Sequence, residues 1–353
     1  MRAIARLSGL GLIAACATTG VGGEGDQNLP SAGVGPFRRL EPEEVKGVAP
    51  FVLDDARALY REPAVLREGD STLLYAVARA DDADVIVRTR ATDARTFFGA
   101  SGHFGQRPPI VLAPDAPWEG ALSGPTLLRF RGELWLFYAG REGIGVARSS
   151  DGLTFRKEPG PILPRDPAAG SWEPAPPRAP SVYALPDGRL RMLYAAGSAL
   201  GEAESADGVA WTRIGGGPVL GPAPEPSPGS LLPNEKPPFD TASVGDPCAV
   251  TRTTPAGRLH VRVLYTGTDA AGATAVGFAA RYGESGPLSR QPVPVYSVGQ
   301  REAAPALLDL GDRSFLYVQQ ERRDGDASFV AIAGAFAPAN MKLPASGDFP
   351  DTP

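Results

Sequence analysis

Glu62 and Asp246 each stand directly before a proline that opens an apolar run, and Glu173 and Glu302 lie a few residues ahead of two more such prolines. Carboxylates brought together can run acid–base chemistry, one held protonated as donor and one ionised, if their surroundings push their pKa values apart. Arg61, Arg178 and Arg301 lie two to four residues ahead of prolines in the same pattern. A cation beside a carboxylate favours its ionised form. The expectation is therefore that Arg61 holds Glu62 ionised and leaves Asp246 or Glu302 as the protonated partner. A third group pairs aromatics with acids: Trp118-Glu119, Trp172-Glu173 and Phe239-Asp240, each aromatic seven or eight residues before a proline. An aromatic face beside a carboxylate suits a sugar, whose C–H faces stack on rings and whose hydroxyls donate to acids. The alternative is that the aromatics wedge between packed elements and the acids cap turns.

These residues are positioned by a recurring phrase, a proline starting one apolar strand and a Tyr closing the next. It reads Pro63 to Tyr75, Pro125 to Tyr138, Pro180 to Tyr194, Pro247 to Tyr265 and Pro305 to Tyr317. The prolines at 63, 125, 180, 247 and 305 are 62, 55, 67 and 58 residues apart. A fixed period marks a repeat architecture, in which each unit buries its faces against its neighbours. Within the second unit, apolar runs at 125–128, 133–139, 143–148 and 161–163 surround the turn Ser149-Ser150-Asp151-Gly152. The third unit repeats them around Ser205-Ala206-Asp207-Gly208. No stretch reads as a helix longer than two turns. Four short strands per unit with an Asp-Gly turn predict an all-β fold, a five-bladed β-propeller with four antiparallel strands per blade. The inner strands should start near Glu62, Gly124, Ala179, Asp246 and Ala304. The fifth unit lacks a fourth strand after Ala333, so the stretch from Phe37 to Leu53 is expected to supply it and close the ring.

Of 353 residues 42% are hydrophobic, enough for a large buried interior, and the net charge of −5 gives no basic face for nucleic acid. Two His, His103 and His260, and two Cys make no ligand spacing, so neither a metal site nor another cofactor is expected. The Ser-x-Asp-Gly turns read as structural.

Arg2 and Arg6 precede an apolar run from Leu7 to Ala15 that is too short to span a membrane. Ile13-Ala14-Ala15-Cys16 resembles a bacterial lipobox, which implies cleavage before Cys16 and its lipidation. The expected organisation is a leader over 1–16, a flexible tether rich in small residues over 17–36, the propeller over 37–340 and a tail over 341–353. The expected location is the cell envelope, with export and lipid anchoring, on the outer membrane. The chain is expected to be a monomer, touching membrane only through its anchor.

Two segments carry a family resemblance. Phe239 to Pro247 followed by Tyr265-Thr266-Gly267 is one, and Gly143 to Gly152 is the other. Both resemble the five-bladed propellers of glycoside hydrolase families 32, 43, 62, 68 and 130. The resemblance implies a glycan or oligosaccharide as partner and carboxylates beside the blade prolines as the catalytic set. Residue by residue, Glu62 falls at the first carboxylate position in place of the usual Asp. The second position holds Gly124, followed by Pro125 and Thr126. The third holds Ala179, with Arg178 beside it, where the family places Glu. A glycosidase using Glu62 and Asp246, with Glu173 or Glu302 assisting, is one expectation. A non-catalytic carbohydrate-binding propeller with a decayed acid set is another, and a protein-interaction propeller a third.

Overall fold

The computed structural model describes residues 37–45, 50–98, 107–166, 172–227, 236–254, 257–311 and 313–338. Cys16, His103 and the proposed leader, tether and tail lie outside these residues.

Five antiparallel sheets form, one per repeat of the proline phrase. Blade 1 runs β3 (Arg61–Glu68), β4 (Ser71–Ala80), β5 (Ala83–Ala91) and β6 (Ile110–Leu112). Blade 2 runs β7 (Ser123–Phe130), β8 (Glu133–Gly140), β9 (Gly143–Ser149) and β10 (Arg156–Lys157), with β11 (Leu163–Pro164) also on β9. Blade 3 holds β12 (Arg178–Ala184), β13 (Leu190–Ala196), β14 (Ala199–Ser205) and β15 (Thr212–Arg213). Blade 4 holds β16 (Ser243–Thr253), β17 (Leu259–Thr268), β18 (Thr274–Tyr282) and β19 (Ser289–Arg290). Blade 5 holds β20 (Ala303–Asp309), β21 (Arg313–Asp324) and β22 (Ala327–Pro338). Its outer edge is β1 (Arg38–Arg39) and β2 (Phe51–Leu53), both antiparallel to β22, so the N-terminal stretch seals the ring as the sequence implied. A 3-10 turn lies at Pro42–Glu44.

Among the described residues the buried apolar side chains divide into five clusters, one per seam between neighbouring blades. Leu134, Leu136 and Tyr138 of β8 pack with Leu73 and Tyr75 of blade 1. The alternate residues Trp135 and Phe137 pack with Met192 and Tyr194 of blade 3. The same division recurs between blades 3 and 4, 4 and 5, and 5 and 1. A strand buried on both faces favours an apolar run, which explains the runs in β4, β8 and β21; β13 and β17 interrupt theirs with the buried polar residues Arg191, His260 and Arg262. Leu40, Val52 and Leu53 of the N-terminal stretch complete the seam between blades 5 and 1.

The start of every inner strand is bulged. The register against the second strand slips between Arg61 and Ala64, Ser123 and Thr126, Arg178 and Ser181, Gly245 and Cys248, and Ala303 and Ala306. At each bulge the residue before the proline takes a left-handed backbone: Glu62 (φ 50°), Gly124 (54°), Ala179 (47°), Asp246 (45°) and Ala304 (49°). Proline has no N–H to pair and is confined to sheet edges and bulges. An inner strand is the edge of its blade, so the five prolines sit where their missing donor costs least.

The closing tyrosines, alike in sequence, fall into two classes. Tyr75 and Tyr317 lie opposite the residue after the proline, Ala64 and Ala306, whereas in blades 2 to 4 that place belongs to Phe137, Leu193 and Leu264. Tyr138, Tyr194 and Tyr265 are one residue further on. One residue of offset turns a side chain to the other face of the sheet.

Candidate functional site

The five inner strands surround a central cavity of about 350 Å³. The pre-proline residues, the prolines and residues further along the strands, such as Val65, Leu127, Val182 and Leu307, line it. A cavity of this size is in the range that takes small ligands. Of the five pre-proline residues only Glu62 and Asp246 carry a charge, and both line the cavity. Each side chain is 26% exposed.

Glu62 is held by its neighbours across a blade seam. The Gly124 N–H donates to Glu62 Oε2 at 2.5 Å. Burial pushes the Glu62 carboxyl above the usual range; the Gly124 N–H opposes this, the Asp246 charge adds to it, and Arg61 and Arg178 oppose it. The net shift is upward, against the expectation that Arg61 holds this carboxyl down. Burial is the largest cause; Arg61 opposes it while also serving a second carboxylate. Its Nη2 lies 2.5 Å from Asp84 Oδ2, while its Nε stays 3.9 Å from Glu62 Oε1. Asp84 also meets Arg79 Nε at 3.1 Å. Sequence reading passed over Asp84, which stands at the start of β5 with no motif around it; only folding brings it to Arg61.

Arg178 opens β12 and is not among the residues lining the cavity, but its side chain, 57% exposed, brings Nη1 to 3.9 Å from Oδ1 of Asp246, which does line it. Arg301 is exposed in the loop before β20, and its side chain is not among those lining the cavity.

The remaining expected residues are gathered elsewhere. Glu119 is buried; it accepts the Tyr138 hydroxyl at 2.7 Å, the Asp115 N–H at 2.7 Å and the Lys157 ammonium at 2.8 Å. Burial would raise its pKa, but Lys157, Tyr138 and the two backbone donors outweigh it and hold the carboxyl low. Glu173 accepts Tyr194 at 2.5 Å and Arg213 at 3.0 Å. Asp240 accepts Tyr265 at 2.9 Å and Arg290 at 2.6 Å. Above each acid its neighbouring aromatic packs on the same tyrosine: Trp118 on Tyr138, Trp172 on Tyr194 and Phe239 on Tyr265, with centroids 6.0, 6.3 and 6.2 Å apart. Glu302, fully buried, accepts the N–H groups of Val298 and Gln300. Trp118, Glu119, Trp172, Glu173, Asp240 and Glu302 are thus clamps inside the blades. The carboxylates of Glu119, Glu173 and Asp240 are already spent on these partners, while Glu302 Oε2 and Trp118 Nε1 are buried without one, and none of the six residues lines the central cavity.

The clamp also reaches the ring closure. Lys157, Arg213 and Arg290 lie opposite Ala147, Ala203 and Ala279, and Arg39 of β1 lies opposite Ala335 in the equivalent register. Arg39 donates to Gln300 Oε1 at 3.3 Å, in the loop that Glu302 caps. The aspartates of the turns are equally occupied. Asp151 accepts from the N–H groups of Leu153 and Thr154, and Asp207 from those of Val209 and Ala210, away from the cavity. Among the described residues no group of three or more His, Cys, Asp or Glu is arranged to hold a metal.

No family model and no curated protein matches the chain. Solved structures do. A glycosyl hydrolase from Bacteroides ovatus superposes with a TM-score of 0.59 at 16% identity over 81% of this chain and 86% of its own. A thermostable family-43 glycoside hydrolase gives 0.53 at 14% identity over 78% and 89%. The catalytic domain of the family-62 α-L-arabinofuranosidase of Coprinopsis cinerea gives 0.58 at 11% identity over 88% and 99%. Identities this low speak for architecture and leave the chemistry to the site itself. The chain has the five-bladed propeller fold found in these glycoside hydrolases.

Proposed function

We propose that this protein is carbohydrate-active, taking a glycan at the mouth of the central cavity and cleaving a glycosidic bond there with Glu62 and Asp246. The observation that carries the proposal is the pair itself. Two half-buried carboxylates share one cavity, and burial raises the pKa of Glu62 while the charge of Asp246 adds to the rise. Glycoside hydrolysis needs one protonated carboxyl to donate to the leaving oxygen and one carboxylate to act as base or nucleophile. Glu62 is the donor in this reading and Asp246 its partner. Once Glu62 has given up its proton, the Gly124 N–H, Arg61 and Arg178 support the charge that remains, since all three favour the ionised form. The fold shared with family-43 and family-62 hydrolases supports the same reading.

A second reading, glycan binding without turnover, is favoured by Gly124 and Ala179. These positions carry no carboxylate, and a Cβ at Gly124 would lie 2.7 Å from the Ala179 Cα, so that seam has no room for one. A screen of the protein against aryl glycosides and an oligosaccharide array separates the two. Turnover that falls at least a hundredfold in both Glu62→Gln and Asp246→Asn supports hydrolysis, general acid–base groups contributing about 10²–10⁴-fold. Array binding without turnover supports the second reading. Neither binding nor turnover sinks both and leaves a protein-interaction propeller. The leader reading adds that the ring is exported and anchored to the envelope through lipid on Cys16. Metabolic labelling with a clickable fatty acid should mark the parent and not Cys16→Ser.

A further inference from the structure

We infer that the sugar taken at the mouth is a uronic acid, whose carboxylate docks on the guanidinium of Arg178. This rests on the glycan reading above and adds the substrate class. Arg61 and Arg178 occupy the same register, two residues before a blade proline, in blades 1 and 3. They differ in what occupies them. Arg61 is 19% exposed and committed to Asp84 at 2.5 Å. Arg178 is 57% exposed, and its nearest carboxylate oxygen, on Asp246, is 3.9 Å away, beyond hydrogen-bonding distance. Its fork of N–H donors is therefore unspent on protein while it stands beside the cavity carboxylates.

The chemistry of the mouth is complementary to one kind of sugar. The Asp246 carboxylate offers acceptors, which suit sugar hydroxyls, and the guanidinium offers donors only. A neutral sugar satisfies the first and leaves the second to water. A uronic acid satisfies both, since a planar carboxylate matches the guanidinium fork with two parallel hydrogen bonds. With a net charge of −5 the protein has no long-range attraction for a polyanion, so discrimination falls to this one contact. A sulfate ester presents the same negative oxygens in a tetrahedral group and is the source to be distinguished.

The test is calorimetric titration of the full chain with oligomers of galacturonate, glucuronate and mannuronate, with the same oligomers after reduction of their carboxyls to alcohols, and with sulfated galactose oligomers. The expected result is at least tenfold tighter binding of one uronide than of its reduced form. Arg178→Ala should collapse that preference to within about twofold, and Arg178→Lys should recover only part of it. Neutral oligomers bound as tightly as uronides overturn the inference and leave the glycan reading standing. Binding of sulfate esters in place of uronides overturns it too, as does a preference that survives Arg178→Ala. Binding of none of the three kinds overturns both readings.

Discussion

Glu62 is placed by a local steric device and tuned by a non-local one. The bulge before each blade proline puts one residue in the left-handed region, and Glu62 there faces the cavity. A non-glycine residue in that region costs about 1–3 kcal/mol, a strain tolerated where surrounding structure fixes it. Glycine avoids it at 124, where the neighbouring backbone also forbids a side chain. Gly124→Ala should therefore lower stability by about 1–3 kcal/mol through overpacking, read as a lower Tm; an unchanged Tm would show that the seam relaxes freely. The pH dependence of Glu62 has a definite sign. Its pKa is raised on folding, so its stabilising contribution is complete below the ordinary value of 4.5 and is lost as pH climbs through the folded value. Glu62→Gln does not titrate. Its Tm should gain on the parent's as pH rises from 4 to 8, and a constant difference would contradict the shift.

At the scale of elements, the N-terminal stretch is the latch. It supplies β1 and β2, the apolar residues Leu40, Val52 and Leu53 in one seam, and Arg39 in the register of the other clamp cations. Burying each such apolar side chain is worth about 1.5–3 kcal/mol. Removing residues 1–53 should therefore cost several kcal/mol and expose β22 as an unpaired edge. Calorimetry should show a lower Tm and light scattering should show self-association; a monomer with the parent's Tm would mean the ring needs no latch. The latch carries its own acid sensitivity. The Arg38 hydrogen bonds to Glu44, the nearer at 2.6 Å, hold the Glu44 carboxyl down at about 2 despite partial burial, with Arg95 adding to the effect. A depressed carboxylate stabilises above its ordinary value of 4.5 and loses that contribution as pH falls toward 2. Hydrogen exchange should show residues 38–44 opening within that window, earlier than the inner strands. Glu44→Gln should remove the dependence.

At the scale of the molecule, the ring sets a direction. Inner strands start at the cavity mouth, so Ala303 and the β21–β22 turn lie at that end, while Arg313 opposite Pro338 marks the other. Arg38 lies opposite Phe336, so the chain joins the propeller at the end remote from Glu62 and Asp246. Under the proposed lipid anchor on Cys16, about twenty residues before β1, the mouth should face away from the membrane. Spin labels on liposome-bound protein check this. A label at Asp187, in the turn between β12 and β13, should lie nearer the bilayer than one at Asp269, between β17 and β18. The reverse order would overturn the orientation.

What the sequence alone determined is what local sterics and period determine. Proline lacks a donor, so its five recurrences marked the edges and starts of the inner strands. The apolar runs of β4, β8 and β21 marked strands buried on both faces, and the unit lacking a fourth strand pointed to the latch. Glu62 and Asp246 were legible as cavity residues because a fixed offset from a proline fixes which way a side chain points. The tertiary structure decided the rest. Trp118-Glu119, Trp172-Glu173 and Phe239-Asp240 read equally as sugar platforms or as clamps until their tyrosine and cation partners, 19 to 50 residues away, closed on them. The tyrosines read as one motif, yet a one-residue offset sends two of them to the opposite face. The pKa of Glu62 was raised by burial in a cavity built from five blades and by the charge of Asp246, with Arg61, which also pairs with Asp84, opposing the rise. Direction and period are properties of a strand, whereas pKa and contact belong to whatever the other strands bring within a few ångströms.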